Sequence, residues 1–277
     1  MKKTALSGIL LAALVLMLSG CAELFTFNLF DGLEQVNAAR TVADITEKPA
    51  SEGLEELDDL MDSDNFVDSL AEDPESKEAL LDYLDKIASD PEAETGDRQT
   101  ALILSADIEI KTTGGDDLVN NVAGLLTDPS VLEEGGEPQD LFTALVPEEV
   151  ESSEEMTAML LGFMDAAATF EALGNTLDPN DPDSLETDAT LGDLAQTALI
   201  SSIIDAAVTD IAGETATKEE REAAAGELAK LLMGDDTANA NFSETFNPLS
   251  GIDEGTGVYN ILVLSGLEGL FGGGGEE

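Results

Sequence analysis

Histidine and tryptophan are absent from the 277 residues, and cysteine occurs once, at Cys21. Without histidine the chain lacks the commonest general base, the commonest zinc ligand and the one side chain that ordinarily titrates near neutral pH. A single cysteine rules out an internal disulfide. Aromatic residues are few: ten phenylalanines accompany only Tyr83 and Tyr259. Sixty acids always supply carboxylate pairs of the glycosidase kind, but the aromatic platforms that usually accompany sugars are scarce. No GxxxxGK phosphate loop occurs, and the glycine run at 272–275 is followed by no helix. Ser76 and Lys77 are adjacent at a helix start, a poor arrangement for a Ser–Lys nucleophile. These gaps make a non-enzymatic role the expectation.

Cations are equally scarce. Eleven Lys and Arg face 60 Asp and Glu, for a net charge of −49. Residues 112–217 contain 23 acids and no Lys or Arg, so ion pairs within that stretch cannot neutralise it. A nucleic-acid partner is excluded, because such binding needs a basic footprint. Direct adhesion to an anionic lipid surface is disfavoured for the same reason. The low lysine count with abundant Ala, Asp and Glu resembles proteins of salt-adapted organisms, where concentrated salt screens self-repulsion.

The chain is well supplied with apolar residues, at 43%. That fraction is ordinary for a globular protein and sets this sequence apart from acidic disordered chains. The apolar positions recur at steps of three and four. Leu33, Val36 and Val42 define a first helix, Leu54 to Met61 a second, and Phe66, Val67 and Leu70 a short third. Asp73-Pro74-Glu75 and Asp90-Pro91-Glu92 read as helix starts, each an N-cap followed by proline at N1. A helix carrying Leu102 to Ile110 ends at Gly114-Gly115, and another over 116–126 stops at Asp128-Pro129. Ser152 with Glu155, and Thr217 with Glu220, are capping boxes that open long helices. The first of these carries Met156, Met159 and Met164, which read as core or as an adaptable binding face. Between the two boxes a helix runs from Leu191 through Ile211, and an apolar helix closes the pattern over 258–270. No strand pattern competes. The expected fold class is all-α, about ten helices in antiparallel pairs. Phe170, Leu173 and Asp178-Pro179 resemble part of a tetratricopeptide repeat, which implies a helical-repeat-like array, although no second copy stands in register.

The N-terminus has its own pattern. Met1-Lys2-Lys3 is basic, an apolar run extends from Ala5 to Leu18, and small residues come next. This order is that of an export signal, and the run is short for a membrane span. Leu18-Ser19-Gly20-Cys21 resembles the lipobox of bacterial lipoprotein precursors. The resemblance covers the first 21 residues. It implies diacylglycerol on the Cys21 thiol, cleavage between Gly20 and Cys21, and acylation of the new amine by chains such as palmitate. Two or three such chains hold a protein stably on a bilayer. Ala22 stands after the cysteine, where an Asp would resemble the inner-membrane retention signal. The absence of that Asp points to the outer membrane facing the periplasm, or to the cell surface.

Four segments result: a signal peptide at 1–20, a lipidated N-terminus and tether at 21–30, an acidic helical domain at 31–271 and a flexible glycine-rich tail at 272–277. Removing the signal takes away Lys2 and Lys3 but no acid, leaving a net charge of −51. Phe25, Phe27 and Phe30 either meet the bilayer interface or pack on the domain. The expected role is a lipid-anchored scaffold that binds other envelope proteins. The alternative is a cation- or small-solute-binding lipoprotein using acidic loops. For the latter, Asp178, Asn180, Asp181 and Asp183 offer oxygen ligands suited to Ca²⁺. The EF-hand spacing fails there, since Pro182 and Ala189 fall where ligands are needed, and a capped helix–helix loop explains the same residues. No other cofactor is expected.

Overall fold

Capping chemistry sets most of the helix starts. The computed structural model describes residues 37–116, 118–119, 146–147, 150–235, 237–243, 246–249 and 251–267. The export signal expected at 1–20, Cys21, the tether expected at 21–30, most of the helix expected over 116–126 and the tail at 272–277 lie outside them, as do Leu33 and Val36. Among the described residues there are nine helices and no strand: α1 (Ala38–Thr46), α2 (Ala50–Met61), α3 (Asp64–Ala71), α4 (Pro74–Ser89), α5 (Thr95–Lys111), α6 (Ser153–Gly174), α7 (Leu191–Ala212), α8 (Lys218–Leu232) and α9 (Gly257–Leu264). The protein is all-α, as the periodicity predicts.

Asp73 accepts the Ser76 N–H and Pro74 occupies N1, so α4 begins where expected. Both capping boxes form: Ser152 and Glu155 exchange hydrogen bonds at the start of α6, Thr217 and Glu220 at the start of α8. Thr190 and Thr256 cap α7 and α9. Asp90-Pro91-Glu92 departs from expectation. Asp90 accepts the Glu92 N–H at 2.8 Å in a local turn, and the helix starts later, at Thr95. An Asx-turn and an N-cap use the same carboxylate, so the motif cannot choose between them. The last helix stops at Leu264 instead of continuing to 270. Gly266 takes φ 80°, and Leu267 and Gly266 return hydrogen bonds to Leu262 and Val263, which closes the helix in a Schellman motif.

The helices form two groups that share α5. In the first, α1 packs on α2, α3 and α4, while α4 and α2 both rest on α5. In the second, α6 is central and touches α5, α7, α8 and α9. A helical array would contact only its neighbours in sequence; this half clusters around one helix instead. The middle helix buries residues on two sides. Ala106 and Ile110 belong to the core with α6 to α9, whereas Ala101, Leu104 and Ile108 are buried outside that cluster. Met156, Leu160, Phe163 and Phe170 fill the second core from α6, so Met156 and Met159 are core, the simpler of the two readings, while Met164 is only partly buried at its edge. Helices α6 and α7 are each long and apolar enough to cross a membrane by length and composition, yet both carry the core of this folded unit.

Two close approaches depend on glycine. A Cβ at Gly162 would strike the Glu109 carbonyl oxygen and the Thr113 hydroxyl, so α5 and α6 meet nearly backbone to backbone. Gly174 and Gly257 meet in the same manner where α6 ends and α9 begins.

Candidate functional site

Cys21 lies outside the described residues. The acidic turn at 178–183 is described, and the side chains of Asp178, Asn180 and Asp181 are engaged within it. Asp178 Oδ1 accepts the Asn180 N–H at 2.9 Å and the Asn180 side-chain amide at 3.2 Å. Asp181 Oδ1 accepts the Asp183 N–H at 3.1 Å. The Asp178 carbonyl accepts the Asp181 N–H and the Ser184 hydroxyl. These are Asx-turns, in which short carboxylates stand in for backbone partners. Among the described residues, no group of three or more Asp, Glu or Cys comes together to hold a metal ion.

Sequence reasoning overlooked the residue that holds this loop. Gln99 of α5 is fully buried. Its amide donates to the Ser184 carbonyl at 2.9 Å and the Thr176 hydroxyl at 3.1 Å, and its carbonyl accepts the Glu186 N–H at 2.7 Å. All the polar atoms of one side chain thus fasten the loop between α6 and α7. Its only sequence signal is a glutamine on a face otherwise occupied by Ala106 and Ile110.

A second site emerges only in three dimensions. Helices α6 and α7, the first turn of α8, Ser243 and described residues within 246–249 and 251–258 line a cleft of about 740 Å³. Its apolar lining comes from Met164, Ala167, Ala206, Phe246, Ile252 and Val258. Its polar lining comes from Glu171, Asp205, Asp210, Glu214, Arg221 and Ser243. Arg221 donates to Asp205 across the α7–α8 junction. Burial pushes the Asp205 carboxyl above its usual value, and the Arg221 guanidinium pulls it part of the way back. The Arg221 Nε is buried and has no hydrogen-bond partner.

The wall formed by the segment before α9 is tied down by acids. Asp210 accepts the Ser243 N–H and hydroxyl, both at 2.7 Å. Glu227 of α8 accepts the Asn239 N–H at 2.6 Å and Lys230 at 2.7 Å, hydrogen bonds that lower its carboxyl below the usual range. Glu171 accepts the Gly257 and Val258 N–H groups at 2.8 and 3.1 Å. The rings of Phe242 and Phe246 lie 4.8 Å apart on this wall. Apart from the Glu227–Lys230 pair within α8 and the Phe242–Phe246 rings four residues apart, these contacts join residues distant in sequence. The one clue was scarcity: Arg221 is among only 11 basic residues in the chain.

Away from the cleft, Asp107 of α5 is pushed up to about 6 by burial and by Asp116, Asp58 and Asp62, against the opposing pull of Lys111. Lys111 also donates to the Met61 carbonyl at 3.2 Å, joining α5 to the end of α2. No protein-family model matches the chain, and neither a curated protein nor a solved structure matches it.

Proposed function

We propose that the chain is the precursor of a lipid-anchored envelope lipoprotein whose acidic helical domain works by binding a small solute. The anchor rests on one observation: the only cysteine stands directly after Leu18-Ser19-Gly20, behind a basic start and an apolar run. A thiol at that position is the one group a lipoprotein pathway needs, and acyl chains on it bind a bilayer by about 0.8 kcal/mol per buried methylene. Net charge adds indirect support, since so acidic a domain gains nothing from lying on anionic lipid and needs a covalent tether.

The binding part of the reading draws on the cleft between α6, α7 and α8. Its volume of about 740 Å³ falls within the range of about 300–1,000 Å³ common for small-molecule sites, and its lining is polar and apolar in about equal measure. A scaffold for other proteins would be better served by an extended concave array than by helices gathered around α6. The solute therefore belongs in this cleft, away from the acidic turn at 178–183.

Intact-mass spectrometry of the membrane-purified product tests the anchor. The expected species begins at Cys21 and carries acyl mass, and Cys21→Ser accumulates as uncleaved, unacylated precursor. A bare thiol on the wild-type product, or a retained leader, overturns the anchor. The site is tested separately, by whether Ala206→Leu, which fills the cleft, abolishes solute binding.

A further inference from the structure

We infer that the cleft takes an organic cation, an ammonium group on an apolar body; this inference rests on reading the cleft as the binding site. Four lines of observation converge on that class. Four carboxylates, Glu171, Asp205, Asp210 and Glu214, line the cleft against the single guanidinium of Arg221. Asp210 and Glu214 flank the C-terminal end of α7, which closes at Ala212. The last carbonyls of a helix lack intrahelical partners and carry partial negative charge, so a cation is favoured there. The stretch that contains α6 and α7 carries a field of the same sign: residues 150–217 supply 14 acids and no Lys or Arg. A concave site with low-dielectric walls focuses such a field and concentrates cations within it.

The cleft also already seats one organic cation, its own. Arg221 rests its guanidinium on Asp205, half-buried, beside the apolar side chains of the cleft. A ligand ammonium near Asp210 and Glu214 would repeat that arrangement one to two turns farther along α7. The apolar body then meets Met164, Ala167, Phe246 and Ile252. A polarisable thioether and a phenyl ring suit such an apolar body. An anion of the same shape would meet Arg221 already paired with Asp205, and three further carboxylates, of which Glu171 and Asp210 are hydrogen-bonded to N–H and O–H donors but balanced by no cation among the described residues.

Isothermal titration of the purified full chain with three matched probes tests the inference: 2-phenylethylamine, phenylacetate and phenylacetamide. The amine should bind about tenfold or more tightly than the carboxylate, a difference of about 1.4 kcal/mol. Asp210→Asn and Glu214→Gln should each weaken the amine several-fold. Glu214 is exposed, so its variant folds even if Asp210→Asn disturbs the Ser243 contacts. Ala206→Leu should abolish binding while its melting curve stays intact. Phenylacetate binding as tightly as the amine overturns the cation class and leaves the cleft as the site. Amine binding that survives Ala206→Leu overturns the cleft itself. No measurable amine binding overturns the inference.

Discussion

The Glu171 carboxylate, near the end of α6, accepts the N–H of Gly257, 86 residues later, and so caps α9 from another helix. Its second oxygen takes the Val258 N–H at 3.1 Å, and Asn260 returns a hydrogen bond from α9 to the Gly174 carbonyl. A negative charge at a helix N-terminus satisfies orphan donors and opposes the helix dipole. Gly174 and Gly257 permit the approach, since a Cβ on either would run into the other helix's backbone.

Removing that carboxylate should loosen α9. Glu171→Ala is expected to lower unfolding free energy by about 1–2 kcal/mol, the usual cost of a lost cap. Glu171→Gln should lose less, since one acceptor oxygen remains. Urea denaturation of the two variants gives the ordering. Equal stability for Ala and wild type would show that α9 holds its place through Ile261 and Leu262 alone.

Gln99 should be as sensitive. Gln99→Leu leaves the Glu186 N–H and the Ser184 carbonyl without their partner, at a cost of about 1–3 kcal/mol for a buried unsatisfied group. The effect should be concentrated in the loop between α6 and α7. Hydrogen exchange over residues 176–190 should accelerate, with α1 to α4 unchanged. Uniform acceleration across the chain would contradict the local role.

Asp107 sets a pH dependence of defined sign. The folded protein keeps its proton up to about pH 6, and the unfolded chain releases it near the ordinary value of 3.8. The folded state therefore binds more protons in that window, and this group's contribution falls as pH rises through it. Asp205, also raised, acts in the same direction, whereas Asp73, Glu227 and Asp235 are lowered and act oppositely, losing their contribution in acid. The difference between Asp107→Asn and wild type isolates one group. The variant should be more stable by about 2–3 kcal/mol at pH 7.5, from about 1.4 kcal/mol per pKa unit, and indistinguishable at about pH 3, where both states hold the proton. A constant difference at both pH values would assign the effect to packing.

Salt should stabilise the folded domain. Sixty acids against 11 bases make repulsion the dominant surface term, and screening shrinks its range from about 10 Å at 0.1 M to about 3 Å at 1 M. Ion pairs such as Lys77–Glu109, at 2.5 Å, weaken as well, but they are few. The melting temperature should climb between low and molar NaCl. A flat or falling curve would mean that the acids repel one another less than their number implies.

The sequence was most informative where structure is local. Ser152 with Glu155 and Thr217 with Glu220 satisfy each other within one helical turn, so four residues suffice to reveal them. Asp90 misled because an Asx-turn and an N-cap begin with the same carboxylate and differ only in whether the next residues go on to coil into a helix. The acidic turn at 178–183 was read both as a ligand set and as a loop, and Gln99, some eighty residues earlier, is what organises its surroundings. The cleft was invisible for the same reason. Glu171, Asp210, Arg221 and Phe246 come from separate elements, and nothing in their spacing announces that α6, α7 and α8 converge.

Because residues 95–111 contribute side chains to the interiors on both flanks, neither group of helices owns its inner surface outright. Detaching one group would strip half of that helix and leave the other group with a raw apolar wall. The two groups are therefore expected to unfold together, and a substitution that loosens Ile110 is expected to weaken the packing around Ile108 as well, because one helix carries both side chains.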